Sequence, residues 1–271
     1  MAPRAMTIFL SIRAPMILTD VAARPVIAHR GDSAHHPENT FPSFDAAVAL
    51  GVDALEFDLR LTRDGAVVVM HDPTTGRTTD RLLVVRDSVL TELRALDAGA
   101  RFTRDGGATV PFAGKGIVVP TFEEMLDRYR DLPLLIEVKV PEVVPEARRL
   151  VVRHGAQDRV LLDSMDDRAV APFRGQFRTG ASMRDVLRLL PRAWWPRPPA
   201  SLPYEALCIP RWYDGIPVPV TRLARQARRV GTVTHVWTVN DPDVAEQLWR
   251  AGINGIVTDD PGTMLELRRR L

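Results

Sequence analysis

Cysteine is almost missing from this chain: Cys208 is the only one in 271 residues. No intrachain disulfide can form, so packing alone must hold the fold, which suits a reducing, cytoplasmic setting. Cys208 lies in an apolar run over 206–209 and reads as core rather than as a nucleophile. An excess of one charge is missing too. A formal net charge of +2 argues against a nucleic-acid binder, although clustered cations can still favour an anionic substrate. Long apolar runs are missing as well. Residues 6–12 are apolar, but Arg13 ends the run and no convincing small-residue cleavage site follows. That excludes a transmembrane helix there and makes a poor signal peptide. Residues 1–24 are expected to form a poorly ordered extension, in which Met6 and Met16 offer alternative starts. There is no linker-like boundary and no internal repeat, so one domain is expected.

What is present is an ordinary globular composition, 45% apolar and 26% charged, in a chain long enough to bury a large core. Short apolar runs alternate with amphipathic stretches, the pattern of successive βα units. Strands are expected over 25–29, 53–59, 66–70, 134–139, 159–162, 178–181, 206–209 and 233–239. A further short run over 254–258 exceeds the count of a (β/α)8 barrel. Helices are expected over 40–50, with Pro42 in the first turn and Gly51 as the stop, and over 142–154. Thr121-Phe122-Glu123-Glu124 is a capping box that opens another. Residues 60–65 are too few for a helix, leaving a tight turn or an extended return across the barrel. Residues 73–120, with Gly99, Gly106, Gly107, Gly114 and Gly116, read as an insertion after strand three, a long excursion over the barrel mouth with one helical patch over 88–97. The expected fold class is α/β: a single-domain TIM-type (β/α)8 barrel over 25–271 carrying that insertion.

The chemistry gathers at the ends of the apolar runs. His29-Arg30-Gly31 closes the first, Glu56-Phe57-Asp58 the second, His71-Asp72 the third and Glu137-Val138-Lys139 the fourth. Catalytic groups at strand ends are the usual layout of parallel barrels. Residues i and i+2 of a strand face one way, so Glu56 pairs with Asp58 and Glu137 with Lys139. Converging carboxylates repel unless neutralised, and an oxygen-only set suits a hard divalent cation, Mg²⁺ or Ca²⁺. A lone pair of acids would read as strand-end surface charge; three acids, two histidines and two cations together do not. His29 and His71 form the natural acid/base pair. His36, His154 and His235 read as structural, and His35, just after strand one, stays open. Arg30 and Lys139 can neutralise a phosphoryl group, one by its fork geometry and the other as a point charge. The set suits phosphodiester cleavage, in which charge stabilisation and proton transfer dominate.

In order along the chain, His29-Arg30-Gly31, Pro37-Glu38-Asn39-Thr40, Glu56-Phe57-Asp58, Thr62-Arg63-Asp64-Gly65, His71-Asp72, Glu137-Val138-Lys139, Trp237-Thr238-Val239-Asn240 and Thr258-Asp259-Asp260-Pro261 resemble the signature of glycerophosphodiester phosphodiesterases. The similarity runs from about Pro25 to the end. The resemblance implies a barrel similar to those of phospholipase C-like phosphodiesterases. It further implies a divalent cation on Glu56, Asp58 and Glu137, acid/base work by His29 and His71, phosphate contacts from Arg30 and Lys139, and Trp237 lining the site. The products would be sn-glycerol 3-phosphate and an alcohol. Sphingomyelinase D-type phospholipases are a poorer match, since they usually carry Asp at the position of Glu137 and lack the Pro37-Glu38-Asn39-Thr40 stretch.

The substrate is thus expected to be a small phosphodiester. A lysophospholipase D acting on single-chain lipids is the alternative within the same barrel, and a non-catalytic binding protein is the alternative of another class. A degenerate copy would have lost a histidine or a metal carboxylate, and this chain keeps all five. The segment 191–203, with Trp194-Trp195 among five prolines, matches nothing general in the family. One tryptophan is expected to be buried and the other exposed, giving weak contact with a membrane surface.

Overall fold

The structure is a computed structural model and describes residues 16–271. Among the described residues eleven strands are formed: β1 (Val26–His29), β2 (Ala54–Leu61), β3 (Val67–Val69), β4 (Leu134–Val138), β5 (Val160–Asp163), β6 (Arg178–Thr179), β7 (Ala206–Pro210), β8 (Trp212–Tyr213), β9 (Ile216–Pro217), β10 (Val233–Trp237) and β11 (Gly255–Thr258). Eight of them lie side by side in the order β6-β5-β4-β2-β1-β11-β10-β7, all parallel. A parallel bridge between Gly180 and Ala206 joins the two ends of the row, so the sheet closes into the expected barrel.

The period-2 alternation of these apolar strands builds two cores at once. Inward residues such as Ile27, Ala54, Leu135, Leu161 and Val233 pack inside the barrel with Met16 and Leu18. Outward residues such as Leu55, Phe57, Ile136 and Val236 pack against the surrounding helices, with Phe44, Ala47 and Trp249. The inward set continues upward from Ala54 through Glu56 to Asp58, and from Leu135 to Glu137. Strand pleat alone therefore aims these acids at the C-terminal mouth.

Two expectations change. The run over 66–70 is not a barrel strand: β3 pairs antiparallel with β2, Leu59 against Val69 and Leu61 against Val67. A parallel neighbour needs a crossover of a dozen or more residues, and residues 62–66 supply only a tight turn, closed by the Thr62 hydroxyl and carried through Gly65 at φ +83°. The surplus strand in the sequence reading is thus β3, and β11 completes the barrel. The insertion 73–120 follows the hairpin and packs a small core of its own, including Val85, Leu93, Leu96 and Val119, against Val68 and Met70. Its helix is shorter than expected, Leu90–Arg94.

The expectation for residues 1–24 divides. Residues 1–15, with Met6, lie outside the described residues. Met16 and Leu18 are buried at the barrel floor. The His235 Nε2–H donates to the Leu18 carbonyl across 2.9 Å, and Asn254 holds the Val21 carbonyl. The floor of the barrel needs an apolar plug, and this segment is it. Among the described residues no helix is long and apolar enough to cross a membrane.

Candidate active site

At the end of β1 the chain must turn sharply. Arg30 takes the left-handed region at φ 57° and Gly31 follows at φ 90°; a Cβ on Gly31 would collide with Ser43. The turn brings the Arg30 side chain back over the barrel. Its Nε lies 3.2 Å from Asp58 Oδ2, its Nη1 donates to Glu38 across 2.9 Å, and its backbone N–H donates to Glu56 Oε2. Asn39 donates to Asp58 Oδ2 across 2.8 Å. From β4, the Lys139 Nζ lies 2.9 Å from Asp58 Oδ1 and 2.7 Å from Glu137 Oε2.

The two histidines are held alike. The Nδ1 of His29 lies 2.6 Å from Asp259 Oδ1, and that of His71 lies 2.6 Å from Asp72 Oδ1. Both carboxyls are held below their usual range. Burial works against the charge of each, but the hydrogen bond and charge of His29, with hydrogen bonds from Asn240 and Ser33, together outweigh it and hold Asp259 at about 2. Asp72 is likewise held down, chiefly by Arg77. Ionised carboxylates only accept, so Nδ1 carries the proton in each imidazole and Nε2 is the nitrogen left for chemistry. Both rings line one cavity of about 180 Å³, together with Arg30, Glu56, Glu137, Lys139 and Trp237.

Burial raises the cost of every charge here, and neighbours decide which charges survive. Burial and the field of Asp58 push the Glu56 carboxyl up to about 7. Asp58 is also buried, yet Lys139 and then Arg30 hold its carboxyl well below the usual range. Burial opposes the charge on His29, but Asp259 and Glu56 raise its pKa; burial lowers that of His71 despite Asp58.

Glu56, Asp58 and Glu137 each offer an oxygen within 4.8 Å of the others. Even with Arg30 and Lys139 beside the three acids, one buried carboxyl stays under-compensated, as the raised Glu56 pKa records. A hard divalent cation fits both the all-oxygen donor set and that charge deficit.

All the residues singled out from the sequence therefore meet at this mouth. Several that sequence reasoning passed over meet there too. Asp259, quoted above only as part of a motif, holds His29, and is itself held by Ser33 and Asn240. Arg77, from the insertion, bridges Glu38 and Asp72, tying the Arg30 side to the His71 side. Asp163 on β5 lines the cavity, its carboxyl raised well above the usual range by burial and Glu137; a strand-end acid with no i+2 partner carried no signal. The remaining histidines find partners away from this cavity. His35 and His36 both bind Asp32, His154 binds Glu123, and His235 is interior. Cys208 is buried, and burial pushes its thiol up, which makes it inert as a nucleophile.

Trp194 and Trp195 depart from expectation. Both are exposed, at 60% and 59%, and Ala193 takes the inward position instead. They stand where the 3-10 helix Leu190–Trp194 ends. Trp194 finds its partner in the Arg222 guanidinium, 5.5 Å from its ring centroid, and the Trp195 carbonyl accepts from Gln226, so neither ring enters the core.

The profile of the glycerophosphoryl diester phosphodiesterase family matches residues 29–263. The chain belongs to this family. A glycerophosphodiester phosphodiesterase of Caldanaerobacter subterraneus subsp. tengcongensis is 30% identical over 263 residues, covering 90% of this chain and 98% of the relative. Among solved structures, an Oleispira antarctica phosphodiesterase in complex with the product sn-glycerol-3-phosphate shares the fold at a TM-score of 0.73 and 23% identity, over 91% of this chain and 97% of that one. The glycerophosphoryl diester phosphodiesterase domain of a Mycobacterium tuberculosis protein does so at a TM-score of 0.78 and 21% identity, over 92% of this chain and 100% of that one. As a member, the chain keeps both histidines and all three acids of the motifs at one mouth.

Proposed function

We propose that this protein hydrolyses glycerophosphodiesters to an alcohol and sn-glycerol 3-phosphate, with His29 and His71 moving the protons. The observation that carries the reading is the matched pair of imidazoles, each with Nδ1 tied to a carboxylate, around one cavity. One histidine takes the proton of the nucleophile, either a water or the glycerol hydroxyl of the substrate. The oxygen joins phosphorus, the bond to the alcohol breaks, and the other histidine gives that alcohol its proton. Arg30 and Lys139 bind the non-bridging phosphate oxygens. Glu56, Asp58 and Glu137 would hold Mg²⁺ or Ca²⁺, which supplies further charge neutralisation at phosphate and acidifies a bound hydroxyl. Trp237 walls the cavity beside the reacting group.

The test is release of glycerol 3-phosphate from a panel of glycerophosphodiesters, with a coupled readout, in the presence and absence of chelator. No release from any diester would overturn the reading and leave a binding protein. The buried, lone Cys208 supports a cytoplasmic location. Peripheral membrane contact belongs to the same reading, supported by exposed Trp194 and Trp195 beside Arg222. Co-sedimentation with anionic vesicles is expected to fall in the Trp194→Ala, Trp195→Ala double variant, and equal sedimentation of the two proteins would remove membrane contact.

A further inference from the structure

Arg77 stands in the insertion, outside the barrel, yet each of its hydrogen bonds goes to an acid beside the site. Its Nη1 and Nη2 donate to the two oxygens of Glu38 across 2.6 and 2.7 Å. Its Nε donates to Asp72 Oδ2 across 2.5 Å. Each acid also holds a group that faces the substrate. Asp72 Oδ1 holds the His71 imidazole, and Glu38 Oε1 accepts from Arg30 Nη1. The result is one unbroken chain, His71–Asp72–Arg77–Glu38–Arg30, which the contact of Arg30 with Asp58 carries on to the three acids. From Asp72 onward its charges alternate in sign, so its links are charge-assisted bonds.

The backbone under Arg77 is pinned. Thr75 and Thr79, on either side of it, are fully buried. The Thr75 hydroxyl donates to the Arg81 carbonyl across 2.6 Å and accepts from the Leu83 N–H across 2.9 Å. The Thr79 N–H closes a turn on the Thr75 carbonyl. A separate bond, from Arg60 Nε to the His71 carbonyl, fixes the main chain of His71, which leaves the ring to Asp72 and Arg77. A planar guanidinium fork can hold two carboxylates at once, whereas a lysine is a single point charge.

We infer that Arg77 is a positioning residue for the phosphodiester reaction: it sets the His71 ring and the Arg30 guanidinium against one another, so that phosphate contact and proton transfer meet on one substrate. Arg77 does not line the cavity of the two imidazoles, so it acts through its partners. This rests on the phosphodiesterase reading and gives the insertion a part in the reaction.

The test compares the whole protein with Arg77→Ala, Arg77→Lys and Arg101→Ala. Arg101 lines the same hollow as Arg77 and carries the same charge, but its Nε donates to the Thr79 carbonyl and not to Glu38 or Asp72. It therefore controls for packing of the insertion and should stay close to wild type. On glycerophosphocholine, Arg77→Ala is expected to raise KM and to lose on the order of 10²-fold in kcat, the cost of a displacement of about 1 Å at reacting groups. Arg77→Lys should recover little of that loss. In an Asp72→Asn background, Arg77→Ala should still raise KM but cost little further kcat, because the link to His71 is already broken. A second readout needs no turnover. The Nδ1–H of His71, bound to Asp72, gives a far-downfield NMR resonance assigned by its loss in His71→Gln. It is expected to broaden or vanish in Arg77→Ala while that of His29 persists. Wild-type kcat and KM in Arg77→Ala overturn the inference, and so does an unchanged His71 resonance. Full activity in Arg77→Lys overturns it too, since charge alone would then suffice, as does an equal loss in Arg101→Ala. If the wild type hydrolyses no diester, the phosphodiesterase reading fails instead, and the His71 resonance still decides whether Arg77 holds the ring.

Discussion

His29 and Asp259 stand 230 positions apart in the chain and 2.6 Å apart in space. One ends the first barrel strand and the other follows the last, so their contact exists only once β11 has paired with β1. Asp259 thereby sets which nitrogen of His29 carries the proton. Asp259→Asn should preserve the shape while removing the charge that holds this tautomer. We expect kcat/KM to fall by on the order of 10²-fold or more, with the pH–rate limb of His29 moving to lower pH because a carboxylate that raises its pKa is gone. Wild-type activity with an unmoved profile would mean that Asp259 only fills space.

His29→Ala and His71→Ala should each remain folded and lose on the order of 10²–10⁴-fold in kcat. The double variant should lose far less than the product of the two, because one proton-transfer relay is already broken by either. His154→Ala, at a surface pair with Glu123, should behave as wild type. Multiplicative losses in the double variant would show the two imidazoles working independently.

Chelator is expected to abolish turnover, and Mg²⁺ or Ca²⁺ to restore it. Glu56→Gln keeps the shape but removes one donor charge, so calorimetry should show weaker cation binding together with lower activity. The same change relieves a carboxyl that burial and Asp58 push up to about 7, so the variant without added cation should be no less stable than wild type to denaturant. Full activity in excess chelator would take the metal out of the reaction.

Burial lowers His235 from 6.5 to about 4, and its bond to the Leu18 carbonyl only partly offsets this. The folded value lies below the unfolded one, so the unfolded chain takes up the proton first. Stability is complete above about 6.5 and falls as pH drops from there towards about 4, levelling off below. The loss is roughly 3 kcal/mol. Urea midpoints measured across this window should fall steeply for wild type and less for His235→Gln. Equal slopes would assign the acid sensitivity to other groups.

Much of this molecule can be read from its residues in order. The apolar runs and their period-2 alternation determine a parallel barrel, because only strands buried on both faces carry such runs. The same alternation determines that Glu56 shares a side with Asp58, and Glu137 with Lys139. These are local consequences of backbone geometry. What tertiary structure alone decided depends on contacts between distant segments. The Nδ1 partner of His29, the bridge from Arg77 to Asp72 and the floor made by Met16 and Leu18 all join segments whose spacing in sequence says nothing of their distance. So does the exposure of both Trp194 and Trp195. A side chain's type limits what it can touch, but closure of the barrel determines what is there to be touched.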